Sequence, residues 1–244
     1  MTDWSPFHRE LEAWARAGLQ ARLWLRDDDV TDATPALDRF LALVATRAIP
    51  VVFAAVPLGV KERLAVALCD CPHVTVAQHG YAHVNHAPAG AKKCELGDDR
   101  PLIAVLSELA WGRDRLNAVF GHQAIPLLVP PWNRISDAVA HAAVPSVGAA
   151  ISSYRGALIE SGLPVVNTHV DIMDWQTRTG REPHVLVEEL CGALRQQRTG
   201  NGGPVGILTH HLVHDQTADR FLAELFVEAR DAQWPDGRAV IATA

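Results

Sequence analysis

Long apolar runs are missing from this chain. The longest uncharged apolar stretch, AIPVVFAAVPLGV, has 13 residues and holds two prolines, well short of the ~20 residues that a membrane-spanning helix needs. Basic runs are missing too. The formal net charge is −6, which sets nucleic acid and anionic membrane surfaces aside as partners. Cysteine is sparse: Cys69, Cys71, Cys94 and Cys191 make no pair of C-x-x-C knuckles, so four ordinary thiols are expected rather than a zinc ribbon or a disulfide framework. The first segment, MTDWSPFHRELEAWARAGL, carries acids and an amphipathic pattern where a signal peptide would have a basic start and an apolar centre. A cytoplasmic protein is the expectation. Repeats, low-complexity tracts and linkers are absent as well, so one domain over residues 1–244 is expected.

What is present is an alternation. The strand-like runs ARLWLR, PVVFAAV, HVTVAQ, AIPLLV, VGAAISS, LPVVNTHV and PVGILTH are separated by amphipathic helical stretches, and RAVIAT reads as a last strand. Thr34 and Pro35 form a helix start, a capping side chain followed by proline at the first helical position. Near-continuous apolar strands between helices predict a mainly parallel sheet covered on its faces. Seven or eight such units in 244 residues favour an α/β fold closed as a distorted (β/α)7–8 barrel over an open sheet.

Polar clusters follow the strands: DDD after LWLR, HGYAHVNH after VTVAQ, PPWNR after IPLLV, DIMDW after VVNTHV and THHLVHD after VGIL. In a parallel barrel these carboxyl ends share one face, where active sites lie. His79 and His83 are four apart, a spacing that lets two imidazoles converge on one divalent ion. An isolated pair of that kind is more often two surface histidines. Here it stands opposite a carboxylate cluster, which favours the metal. His86 is a loop histidine or a third ligand, and the loop is preferred. Among Asp27, Asp28 and Asp29, one carboxylate can complete a two-His-one-carboxylate site. A second can act as a base toward water. Asp32 reads as a helix-capping acid.

The ordered clusters resemble the five motifs of the polysaccharide deacetylase (NodB-homology) family of metal-dependent carbohydrate esterases, over residues 23 to 214. The family's T-F-D-D-G corresponds to LRDDD, H-[ST]-x-x-H to HGYAH, R-x-P-P-[YW] to LVPPW, D-x-x-D-W to DIMDW and L-x-H to LTH. The resemblance implies a distorted barrel and removal of an N-acyl, first of all an acetyl, group from a sugar or glycoconjugate. It makes Asp27 the base and Asp28, His79 and His83 the metal ligands. The Trp132 N–H becomes an oxyanion donor, His210 the acid and Asp174 its orienting partner. Tyr81, Pro131, Trp175 and His211 line the substrate side. The implied cofactor is a divalent ion, zinc first, with manganese, cobalt or nickel as substitutes. The partner is a small-molecule or glycan substrate.

Three departures from the family pattern stand out. Leu128 replaces the third-motif arginine that braces the base, and Arg134 or Arg26 must supply that charge; Arg134 is preferred, because Arg26 points away from Asp27 along a regular strand. Asp29 replaces a glycine, which leaves the alternative that Asp28 is base and Asp29 ligand. His211 and His214 rival His210; a continuing strand turns His211 to the opposite face, where its role is structural. A small linear or cyclic amide is an alternative substrate, and a non-catalytic binding domain a second alternative. Trp24 is expected in barrel packing. His169 either lines the pocket or ends a strand. Lys92, Lys93, Glu95 and Arg100 belong to a solvated charged loop or to a lid over the mouth.

Overall fold

The Thr34 side chain accepts the Leu37 N–H and Pro35 opens helix α2 (Pro35–Ala45), as the capping pattern predicts. The same logic of strand, turn and capped helix runs through the computed structural model, which describes residues 2–156, 159, 162–200 and 202–243. Helix α1 (Ser5–Arg16) precedes the first strand. The following units are β1 (Leu23–Val30), β2 (Val51–Ala55), α3 (Glu62–Leu68), β3 (Val74–His79), α4 (Leu102–Phe120), β4 (Ala124–Val129), α5 (Asp137–Val147) and β5 (Ala150–Ile151). Strand β6 (Thr168–Asp171) leads into a small hairpin, β7 (Met173–Asp174) with β8 (Thr179–Gly180). Helix α6 (Pro183–Thr199), β9 (Val205–Thr209) and α7 (Gln216–Glu228) follow, and α8 (Gly237–Ala242) comes last.

Seven strands form one sheet in the order β5-β4-β3-β2-β1-β9-β6, and every neighbouring pair in it is parallel. Isolated parallel bridges Ile151↔Val165 and Tyr154↔Thr168 join the two edges. The sheet is therefore curled into the expected distorted barrel, with the weakest pairing between β5 and β6.

The pleat sorts the side chains of each strand between two compartments. Leu23, Leu25, Val51, Phe53, Val76 and Ile207 join the layer under helices α1, α2, α6 and α7. Trp24, Val52, Ala54, Ala77, Leu127 and Val129 fill the barrel interior, so Trp24 is core packing as expected. Gly206 makes room for it: a Cβ there would lie 2.5 Å from the indole Nε1. Leu128 faces outward with Val105, Leu109 and Val139 of α4 and α5.

One expected strand is corrected. RAVIAT is helix α8, because the Asp236 side chain accepts the Ala239 N–H and starts a helix. Val240 then closes the bottom of the barrel interior. No described helix is long and apolar enough to cross a membrane, and all four cysteines are free.

Candidate metal and catalytic site

Strand β1 does not turn away after Asp28. It continues to Val30, and Asp29 takes a positive φ of 73° where the register with β2 shifts. Asp and Asn tolerate this left-handed region better than most residues. The bulge lets two consecutive carboxylates, Asp28 and Asp29, reach the carboxyl end of the barrel. Asp27 lies on the other face.

Asp29, His79 and His83 place their ligand atoms within 4.8 Å of one another, the only such group of metal-binding side chains among the described residues. Asp29 Oδ1 lies 3.2 Å from His79 Nε2 and 3.3 Å from His83 Nε2, yet it is buried without a well-formed hydrogen bond. Two donors bound tetrahedrally at ~2.0–2.1 Å lie roughly 3.3–3.4 Å apart, so the spacing fits a shared cation. His79 is the last residue of β3, and its Nδ1 is 2.9 Å from the Val129 carbonyl. That contact assigns the proton to Nδ1 and turns the Nε2 lone pair toward Asp29. Burial works against the charge on Asp29, but the imidazoles of His79, His83 and His210 around it, when protonated, hold its carboxyl well below the usual range. Burial lowers His83, against the pull of Asp29.

Glu95 builds the turn that carries His83. It is buried, and its carboxylate accepts the N–H groups of Tyr81, Ala82 and His83. Gly80 has φ +56°, and a Cβ there would lie 2.1 Å from Glu95 Oε2 and 2.6 Å from Pro131. The glycine in HGYAH is thus the counterpart of the buried glutamate. Glu95 is neither a solvated loop charge nor a substrate contact. His86 stays in the loop, its N–H on the Cys94 carbonyl.

Asp28, the first-choice ligand from the sequence, is outside the three-residue group and belongs to Arg26. Arg26 Nε is 2.9 Å from Oδ1 and Nη2 is 3.0 Å from Oδ2. Its remaining donors go to Asn133 Oδ1, Ser152 Oγ and the Ser153 carbonyl, so all five guanidinium N–H groups are used. Both side chains are almost fully buried. Residues 26 and 28 share a face because the strand alternates, the same reason that Arg26 points away from Asp27. Arg134, the preferred brace, instead donates to the Lys93 carbonyl at the surface. Leu128 faces α4 and α5, so an arginine there would not reach the mouth.

Asp27 is buried in the layer under α2. Burial alone would raise its pKa, but the charge and hydrogen bond of His211, with His214 and Thr209, outweigh that and hold it low. It has no path to the mouth as a base. His211 is its partner, Nδ1 to Oδ1 at 2.5 Å, and is buried rather than substrate-facing.

At the opposite side of the mouth, the Trp175 ring meets His210 edge-on at 4.4 Å. Trp175 Nε1 donates to Asp171 Oδ2 at 2.8 Å. Burial raises the Asp171 pKa, against the Met173 N–H, Trp175 and His210. The carboxylate near His210 is therefore Asp171, the first of DIMDW, and not Asp174, which caps the next turn by accepting the Gln176 N–H. Trp132 has φ 54° in the one-turn 3-10 helix Pro131–Asn133. Its N–H, in the first turn, has no acceptor within that helix. Its ring lies 4.4 Å from His83. Pro131 is buried beside Gly80, and the Tyr81 ring leans on Trp111. Sequence reasoning gave no role to Asn133, although it lies in the PPWNR cluster, or to Ser152, which lies in no cluster.

No known protein-family model matches the chain, and no curated protein matches its sequence. Solved structures do. The peptidoglycan deacetylase PdaC from Bacillus subtilis superposes with a TM-score of 0.58 at 15% identity, over 92% of this chain and 91% of that one. A family 4 carbohydrate esterase from Streptomyces lividans, in complex with acetate, gives 0.58 at 16%, over 86% and 88%. The Xyl-CE4 domain of a multidomain xylanase from the hindgut metagenome of Trinervitermes trinervoides gives 0.56 at 9%, over 91% and 90%. The chain has the distorted-barrel fold of the family 4 carbohydrate esterases.

Proposed function

We propose that the chain is a metal-dependent hydrolase that removes an N-acyl group, first of all acetyl, from a sugar or glycoconjugate. The observation that carries the reading is the pair of neighbouring carboxylates with separate partners. Asp29 converges with His79 and His83, and Asp28 is gripped by Arg26 at the same mouth. Asp29, His79 and His83 would hold the divalent ion, zinc first, with manganese, cobalt or nickel as substitutes. When bound, that ion would polarise the scissile carbonyl and acidify water.

The chain's own residues do the rest. Asp28, oriented from two sides by the Arg26 fork, takes the proton of the attacking water. The Trp132 N–H donates to the oxygen on which negative charge develops. His210 gives a proton to the leaving nitrogen, with Trp175 and Asp171 fixing its surroundings. The resemblance in motif order and the deacetylase fold both support this chemistry.

A non-sugar amide is the second reading. Leu58, Val84, Trp175 and Leu212 are exposed on loops that follow strands at this mouth, an apolar rim that suits a less polar substrate. A panel of N-acetyl sugars and simple acetamides, with metal quantified in the same samples, tests both. Asp28→Asn is expected to abolish acetate release and keep the metal, and Asp29→Asn to lose the metal. Turnover by Asp28→Asn at the wild-type rate would remove the proposed base. Full metal occupancy with no product from any amide would leave a binding domain.

A further inference from the structure

Asp27 has no role in the reaction just described, yet it is a fully buried carboxylate in the middle of a strand. Its partners are specific. Oδ2 accepts Thr209 Oγ1–H at 2.6 Å and the His211 N–H at 2.8 Å, and Oδ1 meets His211 Nδ1 at 2.5 Å. Those residues are the two immediate neighbours of His210. The β1–β9 ladder ends at Asp27↔Thr209, and the chain then passes through His210 into the one-turn helix His211–Val213. Where the backbone ladder stops, the Asp27 side chain takes over.

His211 cannot be a relay to substrate. Its ring stacks on Phe40 at 5.9 Å and meets Phe53 edge-on at 6.0 Å, and its Nε2 is buried with no partner. The ring is an anchor in an aromatic box. His210, by contrast, has little to fix it: its Nδ1 is also buried without a hydrogen bond, and Trp175 touches it only through the ring edge. Trp175 and the nearby Asp171 shape its surroundings, but its Nδ1 has no hydrogen bond to hold the ring, so its placement depends on the backbone that bears it.

We propose that Asp27 is a positioning residue for His210, gripping the residues on either side so that the imidazole is held at the mouth. Three consecutive aspartates would then serve the acid, the base and the metal in turn. The proposal rests on the reading of His210 as the general acid.

The test compares wild type, Asp27→Ala and Thr209→Val, the second a milder cut that keeps Asp27 paired with His211. Two substrates are used with the zinc-loaded proteins: an N-acetyl amine, whose leaving group needs a proton, and 4-nitrophenyl acetate, whose leaving group does not. Asp27→Ala is expected to lower kcat on the amide at least tenfold, with KM and the ester rate within about twofold of wild type and cobalt binding unchanged. Thr209→Val should show the same signature at smaller size. The double variant Asp27→Ala, His210→Ala should be no slower than His210→Ala alone, as expected for groups acting as one unit. In the resting protein, the His210 ring C–H signal should be single and sharp in wild type and broadened or split in both variants. Equal losses on amide and ester, multiplicative losses in the double variant, or an unchanged His210 signal would overturn the proposal. If Asp27→Ala does not fold, Thr209→Val decides. If wild type cleaves neither substrate, the hydrolase reading fails separately, and the His210 signal alone decides the clamp.

Discussion

Arg26 holds Asp28 from two residues upstream on the same strand, one nitrogen 2.9 Å from the first carboxylate oxygen and another 3.0 Å from the second. The charge that pairs with Asp28 thus comes from β1 itself, not from β4 across the mouth. It needs only the two-residue period of a strand.

Arg26→Lys should therefore damage function more than folding, and Arg26→Met should damage both. Lysine cannot reproduce the fork, and a base displaced by an ångström loses on the order of 10²-fold in kcat. Methionine strands the buried Asp28 charge, at a cost of roughly 3–5 kcal/mol. Acetate-release kinetics and urea melts on the two variants check this. A lysine variant with wild-type kcat would show that the fork is dispensable.

Glu95→Ala should weaken metal binding without touching a ligand. The three N–H groups it collects from residues 81–83 would be left unpaired, and His83 would lose its fixed position. Loss of such a support typically costs ~10–100-fold in affinity. Competition against a zinc chelator measures it.

Gly80→Ser should destabilise the protein although the resembling motif carries Ser or Thr at that position. The added Cβ would meet Glu95 and Pro131 at a positive φ. A strained, overpacked site of this kind costs about 1–3 kcal/mol. A thermal melt unchanged from wild type would contradict the crowding.

Stability should fall between about pH 6.5 and 4 through His169. Its Nδ1 accepts the Gly206 N–H at 3.0 Å, and burial pushes its pKa down to about 4. In that window the unfolded imidazole binds a proton and the folded one does not, so the unfolded state gains as pH falls. The full effect is about 3 kcal/mol. His169→Gln, with an amide oxygen as substitute acceptor, should flatten this part of the stability profile while wild type keeps its slope.

Much of the architecture was readable from the sequence because it rests on local rules. AIPLLV is strand β4 from its first residue to its last, and Thr34 caps α2 as its position implies. RAVIAT reads as a strand because three β-branched residues in a short run look like one; the Asp236 cap and packing against Thr75 decide otherwise. His79 and His210 stand at the ends of β3 and β9, and His83 and Trp132 in the turns just after β3 and β4, where the motif pattern puts them. Among the aspartates the sequence favours Asp28 beside the histidine pair and keeps Asp29 as the alternative, and the structure groups Asp29 with His79 and His83 because β1 runs on to Val30. Residue 29 in a left-handed conformation extends it, and only three-dimensional register reveals that. Glu95 carried no motif, since its burial depends on a loop folding back onto Gly80.

The bulge at Asp29 gives β1 something like a reading frame. Asp27, Asp28 and Asp29 are chemically identical, yet one faces the helix layer, one the arginine and one the histidines. Identity is assigned by phase alone, and β2 and β9 fix that phase from both sides. Deleting any one of the three leaves two aspartates in the sequence but sends Arg26 to the wrong face. A frameshift of one residue in this strand would be as destructive as losing the ligand outright.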